Sequence, residues 1–343
     1  MSGNGLSYKT TLINNRRYLG NKYKLLRFID NEIRSNCSNI VSFADIFSGT
    51  GAVSSAFTDK KLITNDLMYS NYLCNYAWFG TQEYDSDKVI DYIVRYNSMN
   101  EYEENYMTLN FSDTYFSREV CSKIGLIRED IERNYGKGSL NFRERSLLIT
   151  SLLYAMDRIA MTCGHYDAYR KNAKCDGILE LYVPQAVVNN NQDNKCFNED
   201  ANSLVKRIEA DVVYIDPPYN SRQYCDAYHL LENVARWEKP EVFGVARKMD
   251  RRGLKSKYCT SSATEAFAQL VGDIHARYIV LSYNNMGLKG NSRSNAKISD
   301  SAILEILKEK GSVEVFCESY KPFSAGKSSV QDNAERLFIC VCS

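Results

Sequence analysis

The sequence predicts an α/β protein with a doubly wound, mostly parallel sheet, interrupted by a largely helical insertion. Three observations carry this reading. Short apolar runs of strand length at 40–47, 61–65 and 211–215 alternate with helical stretches. The first run enters a glycine-bearing loop, Ser48-Gly49-Thr50-Gly51, and the other two end at acids, Asp66 and Asp216. Between about 75 and 194 the texture changes to frequent tyrosines, mixed charge and helical periodicity.

Taken in order, residues up to about 11 are small and polar, which suits a mobile terminus. A basic turn precedes a helix expected over 23–32. The run at 40–47 reads as a buried strand, 52–57 as a helix start and 61–65 as a second strand. Inside the insertion the clearest helix spans 143–161, while Val183-Pro184 and the Asn-rich run at 189–194 read as an exposed loop or edge. Strand and helix signals return at 196–200, 201–208 and 211–215. They continue with strands at 278–282, 313–317 and 337–341 and an amphipathic helix at 301–310. The implied division is a discontinuous domain, 1–74 with 195–343, holding an inserted domain, 75–194.

Composition narrows the function classes. The 343 residues carry a formal net charge of +1, so charge placement matters more than its sum. Residues 1–29 hold six basic side chains and no acid, and 247–257 hold six basic side chains against Asp250 alone. These are either faces for a polyanion or ordinary solvated surface. None of the eleven cysteines forms Cys-x-x-Cys and there are only three histidines, so no metal site is expected. Reduced thiols, no signal peptide and no 18-residue apolar run suit a cytoplasmic protein without a membrane span.

Asp216-Pro217-Pro218-Tyr219, directly after a buried strand, is the strongest chemical signal. An exocyclic amine on a nucleobase is a poor nucleophile because its lone pair is delocalised into the ring. A carboxylate and a backbone carbonyl accepting its protons localise that pair and stabilise developing positive charge. Asp216 supplies the carboxylate, Pro217 a carbonyl, the two prolines stiffness, and Tyr219 a face for an extruded base. The second signal is Asp45-Ile46-Phe47-Ser48-Gly49-Thr50-Gly51: the glycines let backbone approach a ligand or simply make a tight turn. Asp66 either holds ribose hydroxyls or caps a helix. The third is Arg17-Tyr18-Leu19-Gly20-Asn21-Lys22, weak by itself. His165 and His229 are too isolated for acyl chemistry. Tyr92, Tyr96, Tyr102 and Tyr106 suit packing, and Asn284-Asn285 suits either base contact or a turn.

In that order these parts resemble the Dam-like, alpha-group adenine-specific DNA methyltransferases, including the methylases of type II restriction–modification systems. The resemblance runs over 17–66 and 197–286 and is most specific at Asp216 to Tyr219. It implies a Rossmann-like methyltransferase sheet and S-adenosyl-L-methionine as cofactor. It also implies duplex DNA as substrate, base flipping and a partner restriction endonuclease acting in function. By the resemblance Tyr18 stacks on the cofactor adenine and Lys22 lies near the cofactor. Asp45, Gly49 and Gly51 form its loop, Asp66 holds the ribose, Asp200 contacts the cofactor adenine and Asp216 meets both cofactor and target. Tyr228 falls beside the extruded base, and the insertion corresponds to the target-recognition region. The basic stretch has no counterpart, and Arg251 and Arg252 are its candidates for phosphate contact. An RNA adenine or cytosine-amino methyltransferase and a non-catalytic DNA-binding subunit are the rival readings. The expected assembly is a monomer or weak dimer.

Overall fold

The computed structural model describes residues 8–162, 164–170, 176–186, 193–284, 296–319 and 334–343. Residues 189–192 of the Asn-rich run, together with Asn285 and Met286, lie outside the described residues. The strands among the described residues are, in chain order, β1 (Thr10–Thr11), β2 (Ser42–Asp45), β3 (Lys61–Asn65), β4 (Val183–Pro184), β5 (Lys195–Phe197), β6 (Ala210–Ile215), β7 (Ala276–Asn284), β8 (Gly311–Ser319) and β9 (Ala334–Cys342). The chain gathers into two compact units. A helical unit comprises Met1–Asn21, Tyr69–Val188 and Tyr228–Asp250. A sheet unit comprises Lys22–Met68, Asn189–Ala227 and Arg251–Ser343.

The sheet unit carries a seven-stranded sheet of order β5-β3-β2-β6-β7-β9-β8. Its first five strands are parallel, while β9 runs antiparallel to both β7 and β8. Parallel strands covered on both faces read as nearly continuous apolar runs, and after Asp211 at its start β6 continues Val-Val-Tyr-Ile, all buried. The core forms where Val213, Ile215, Ile279, Leu281 and Phe338 meet the helices Ala263–Asp273 and Asp300–Lys308 through Phe267, Leu270, Ile303 and Leu307. After β2 the chain lays β3 on one side of it and later β6 on the other. A crevice therefore opens at the carboxyl ends of β2 and β6, where strand order reverses and α/β sheets bind ligands.

The doubly wound sheet expected from the sequence is present, with local differences. The helix expected at 52–57 is a single 3₁₀ turn, Ser54–Phe57, following Gly49 and Gly51 at φ 51° and 80°. Two left-handed glycines on either side of Thr50 turn the chain sharply just ahead of this segment, and Ser54 is drawn inward by its hydrogen bond to Asp45. The helix expected over 201–208 stays α only to Leu204 and tightens to 3₁₀ over Val205–Arg207.

The helical unit contains Tyr69–Phe79, Ser86–Ser98, Tyr106–Phe111, Arg118–Gly136, Phe142–Ile159 and His229–Arg236. Starts are set by side-chain caps: Asp85, Asn105 and Ser117 each accept from the first-turn backbone, and Asn141 with Glu144 forms a capping box. Phe142–Ile159 is the unit's central rod, buried continuously from Glu144 to Asp157. Thr10–Thr11, expected to be loose, instead pair with Val183–Pro184, and Thr11 is fully buried. No helix among the described residues is long and apolar enough to cross a membrane.

Candidate active site

At the crevice of the sheet unit, the sequence places three acids at strand exits, and folding withdraws two of them from water. Asp45 ends β2 at 1% exposure. Ser54 Oγ donates to its Oδ2 at 2.9 Å, whereas its buried Oδ1 has no hydrogen-bond partner among the described residues. Burial pushes its carboxyl up to about 7, against the pull of Ser54 and with the repulsion of Asp216 and Asp66 added. An interior carboxylate with a spare acceptor is expensive unless a ligand donor completes it.

The glycine loop wraps over this acid. Gly51 N–H donates to Ser48 O at 2.7 Å, and Ser48 bonds Asn65 O through both its N–H and its hydroxyl, each at 2.9 Å. Asp66 clamps the loop from β3, accepting from Gly49 N–H at 2.9 Å and Met68 N–H at 2.8 Å. Asp200 is exposed and caps the short helix beginning at Ala201, accepting from Ser203 N–H at 3.2 Å. Beside it, the Tyr258 hydroxyl donates to Asn202, and the ring meets Phe47 edge-on at 5.2 Å.

Asp216 leaves β6 into the Pro-Pro-Tyr turn. Its Oδ1 accepts from Lys22 Nζ at 2.8 Å, and Lys22 Nζ also lies 3.4 Å from Glu335 Oε1. Glu335 in turn accepts from Ser282 Oγ at 2.8 Å. The exposures of the Lys22, Asp216 and Glu335 side chains are 6%, 18% and 9%, so this cluster is largely dry. Burial raises Asp216 to about 6; Lys22 pulls it down and Glu335 pushes it up. Burial works against the Lys22 charge too, but Asp216 and then Glu335 outweigh it and hold the ammonium charged. Tyr219, half-buried, meets Tyr283 edge-on at 6.1 Å, and its carbonyl accepts from Lys297 N–H at 2.8 Å. Its ring is thereby held at the turn beside Asp216.

The basic stretch also acquires a local role. Arg251 Nε binds Asp226 at 2.7 Å, and Ser256 exchanges two bonds with the Gln223 side chain, at 2.8 and 3.1 Å. These contacts strap the segment after Arg251 to the chain that follows Tyr219. Arg252 is exposed.

Tyr18 and Tyr228 belong to the helical unit. Their rings stack at 4.6 Å with planes 12° apart, and the Tyr228 hydroxyl accepts from Leu19 N–H at 2.6 Å. The buried Arg16 guanidinium lies 5.4 Å from the Tyr18 ring centre and 5.9 Å from that of Tyr228, and its Nε is 3.4 Å from Asp157. Tyr228 is only 1% exposed, so one face is committed to Tyr18. His229 sits among Tyr115 and Tyr166, its Nε2 at 2.9 Å from Tyr166 O. Tyr96 and Tyr106 are tied to Asp130 and to Pro240 O, which makes them packing residues.

The sheet unit thus brings together Lys22, Asp45, the glycine loop, Asp66 and Asp216. Sequence reasoning missed Glu335, Ser282, Ser54 and Arg16. Glu335 stands just ahead of the apolar run at 337–341, and its link to Lys22 spans more than 300 residues, so no local pattern announces it.

Comparison with known proteins now bears on this geometry. Modification methylase StsI of Streptococcus sanguinis is 34% identical over 312 residues, covering 85% of this chain and 46% of that protein. Type II methyltransferase M.NlaIII of Neisseria lactamica is 31% identical over 323 residues, covering 91% and 93% respectively. Modification methylase LlaI of Lactococcus lactis subsp. lactis is 29% identical over 343 residues, covering 94% and 53%. The chain therefore spans about half the length of the LlaI and StsI proteins and nearly all of M.NlaIII. The sequence model of one family matches residues 18–290, a span that contains the loop, the Asp216 turn and Lys22. By that match the chain belongs to the D12 class N6 adenine-specific DNA methyltransferase family.

Proposed function

We propose that this chain transfers a methyl group from S-adenosyl-L-methionine to the exocyclic amino group of adenine in duplex DNA, as the modification enzyme of a restriction–modification system. The observation that carries the reading is the Lys22-held Asp216 carboxylate, heading a Pro-Pro-Tyr turn at the switch point of the sheet. The cofactor fits the residues around it. Asp45 has a buried oxygen that finds no donor among the described residues, which the cofactor's ammonium group would supply. Gly49 and Gly51 offer backbone without side chains, and Asp66 would hold hydroxyls. When bound, the sulfonium supplies an electrophilic methyl group with a neutral thioether as leaving group.

The chain's own part is alignment and charge stabilisation. Lys22 occupies Oδ1 of Asp216, which leaves Oδ2 to accept a hydrogen bond from the target amine. Ionised above about pH 6, Asp216 favours the cation that develops on that nitrogen. The Pro217 carbonyl is the second acceptor, and the stiff turn keeps both in place. Tyr219 stacks on the extruded base. Asp200 supports the cofactor adenine, and Tyr18 stacks on it. Tyr228 backs Tyr18 from the other side and lies near the target base. Arg251 and Arg252 sit toward phosphates. Catalysis and cofactor binding fall to 1–74 with 195–343, target recognition falls to 75–194, and a restriction endonuclease is the functional partner.

Radiolabelled S-adenosyl-L-methionine and mixed-sequence duplex DNA test this directly, with the labelled nucleoside identified after digestion. Labelled N6-methyladenine is the expected product. Label in cytosine, or only in RNA, would replace the substrate. Cofactor binding without transfer to any nucleic acid would favour a non-catalytic subunit.

A further inference from the structure

Lys22 serves two acids, and only one of them lies in the catalytic turn. Its ammonium is 2.8 Å from Asp216 and 3.4 Å from Glu335, and Glu335 is fixed by Ser282 Oγ at 2.8 Å. Glu335 is paired across β7–β9 with Asn284, and the neighbouring Arg336 is pinned to Asp300 by contacts of 2.6 and 2.8 Å. The carboxylate is therefore held in place by a strand paired on both sides, by β7 and by β8, and by its bond from Ser282. Burying a second acid beside a single lysine is unfavourable for folding, since one ammonium cannot fully compensate two carboxylates in a dry site. Such an arrangement is retained where it does something else.

We propose that Glu335 is a positioning residue: by sharing the Lys22 ammonium it keeps Asp216 incompletely neutralised, and so a stronger hydrogen-bond acceptor for the target amine. The proposal rests on the methyl-transfer reading given above. The ionisable groups around Asp216 are Lys22 from the segment before the first helix, Asp45 from β2, Tyr214 from β6, Tyr219 from the turn and Glu335 from β9. Of these acids, Glu335 is the one that raises Asp216 most.

Glu335→Gln tests the idea because glutamine keeps the shape and the acceptor for Ser282 while removing the charge. Two readouts are taken on wild type, Glu335→Gln and Glu335→Asp, each checked for unchanged thermal unfolding. The first is the titration of the Asp216 carboxyl by carbon-13 NMR in the ligand-free protein, its signal assigned with Asp216→Asn. The second is the pH profile of single-turnover methyl transfer. The expected result in Glu335→Gln is an Asp216 midpoint lower by about half a pH unit or more. The acid limb of the rate should follow it down, with the single-turnover rate constant at pH 8 reduced about tenfold and the half-saturating DNA concentration little changed. Glu335→Asp should return both toward wild type. A merely structural role would instead lower the rate without moving the limb. An unmoved Asp216 midpoint in a folded Glu335→Gln protein would overturn the proposal. A wild-type protein inert on every nucleic acid would overturn the transfer reading and the catalytic consequence drawn here. The NMR midpoint would then report the charge sharing separately.

Discussion

β6 carries an acid at each end, and the fold treats the two in opposite ways. At its start, Asp211 Oδ2 accepts from Val41 N–H at 2.8 Å and from Ser42 N–H and Oγ at 3.0 Å, while Oδ1 lies 3.3 Å from Arg277. Burial alone would raise this carboxyl, but the backbone donors of Val41 and Ser42 win and hold it below the usual range. At the other end, five residues on, Asp216 has a lysine that it must share and is raised to about 6. Asp45, on the neighbouring strand exit, has no charge partner among the described residues and is raised by burial to about 7. The same sheet therefore satisfies Asp211 at one end and leaves Asp216 and Asp45 less fully compensated at the other. The first pattern stabilises; on the proposed function the second serves a ligand.

The comparison can be broken most severely at Asp216. Asp216→Asn should cut transfer by about a thousandfold or more while the cofactor still binds. Asp211→Asn should leave transfer per folded molecule near wild type. Equal losses in the two would show that the ends are not functionally distinct.

Next in size is Asp45→Asn in the ligand-free protein. A carboxyl raised in the folded state contributes its stability below the unfolded value near 4 and loses it as pH rises through about 7. At pH 8 the variant should therefore be more stable than wild type by about 1–3 kcal/mol, a difference that vanishes near pH 4. Its cofactor binding should weaken at the same time. Thermal melts and binding isotherms at both pH values check this, and an Asn variant less stable at pH 8 would contradict it.

Asp211→Asn sharpens the contrast with the opposite sign. Its depressed carboxyl stabilises above the unfolded value and loses that contribution as pH falls. The variant should be destabilised by about 1–2 kcal/mol at pH 7. The gap should narrow below pH 4 in denaturant titrations. Smallest of all, Ser54→Ala removes the side-chain donor that Asp45 has among the described residues. It should raise that carboxyl further and lower cofactor affinity only a few-fold. An unchanged affinity would remove Asp45 from the cofactor site.

Much of the sheet end was legible beforehand. Strand exits marked by acids, a glycine pair and an acid-Pro-Pro-Tyr turn are local signals, each set by neighbours in sequence. They located β2, β3, β6, the crevice and its acids. What stayed hidden depends on distant pairing. Thr10–Thr11 look like a loose terminus until Val183–Pro184, more than 170 residues on, supply their hydrogen bonds. The stack of Tyr18 on Tyr228 and the sharing of Lys22 by Glu335 are equally remote in sequence. Residues 228–250 pack with the helices although they follow soon after the Asp216–Tyr219 turn, a choice made by burial of Leu230, Leu231 and Val234 rather than by any boundary signal.

The central claim is that chemistry belongs to the carboxyl end of β6. A single-turnover experiment tests it most directly, with labelled S-adenosyl-L-methionine, duplex DNA and wild type, Asp211→Asn and Asp216→Asn side by side, cofactor binding being measured on the same samples. The account predicts N6-methyladenine from the first two proteins, with an acid limb near pH 6 in wild type, and bound cofactor without product from the third. Product formed by Asp216→Asn at a wild-type rate would contradict it.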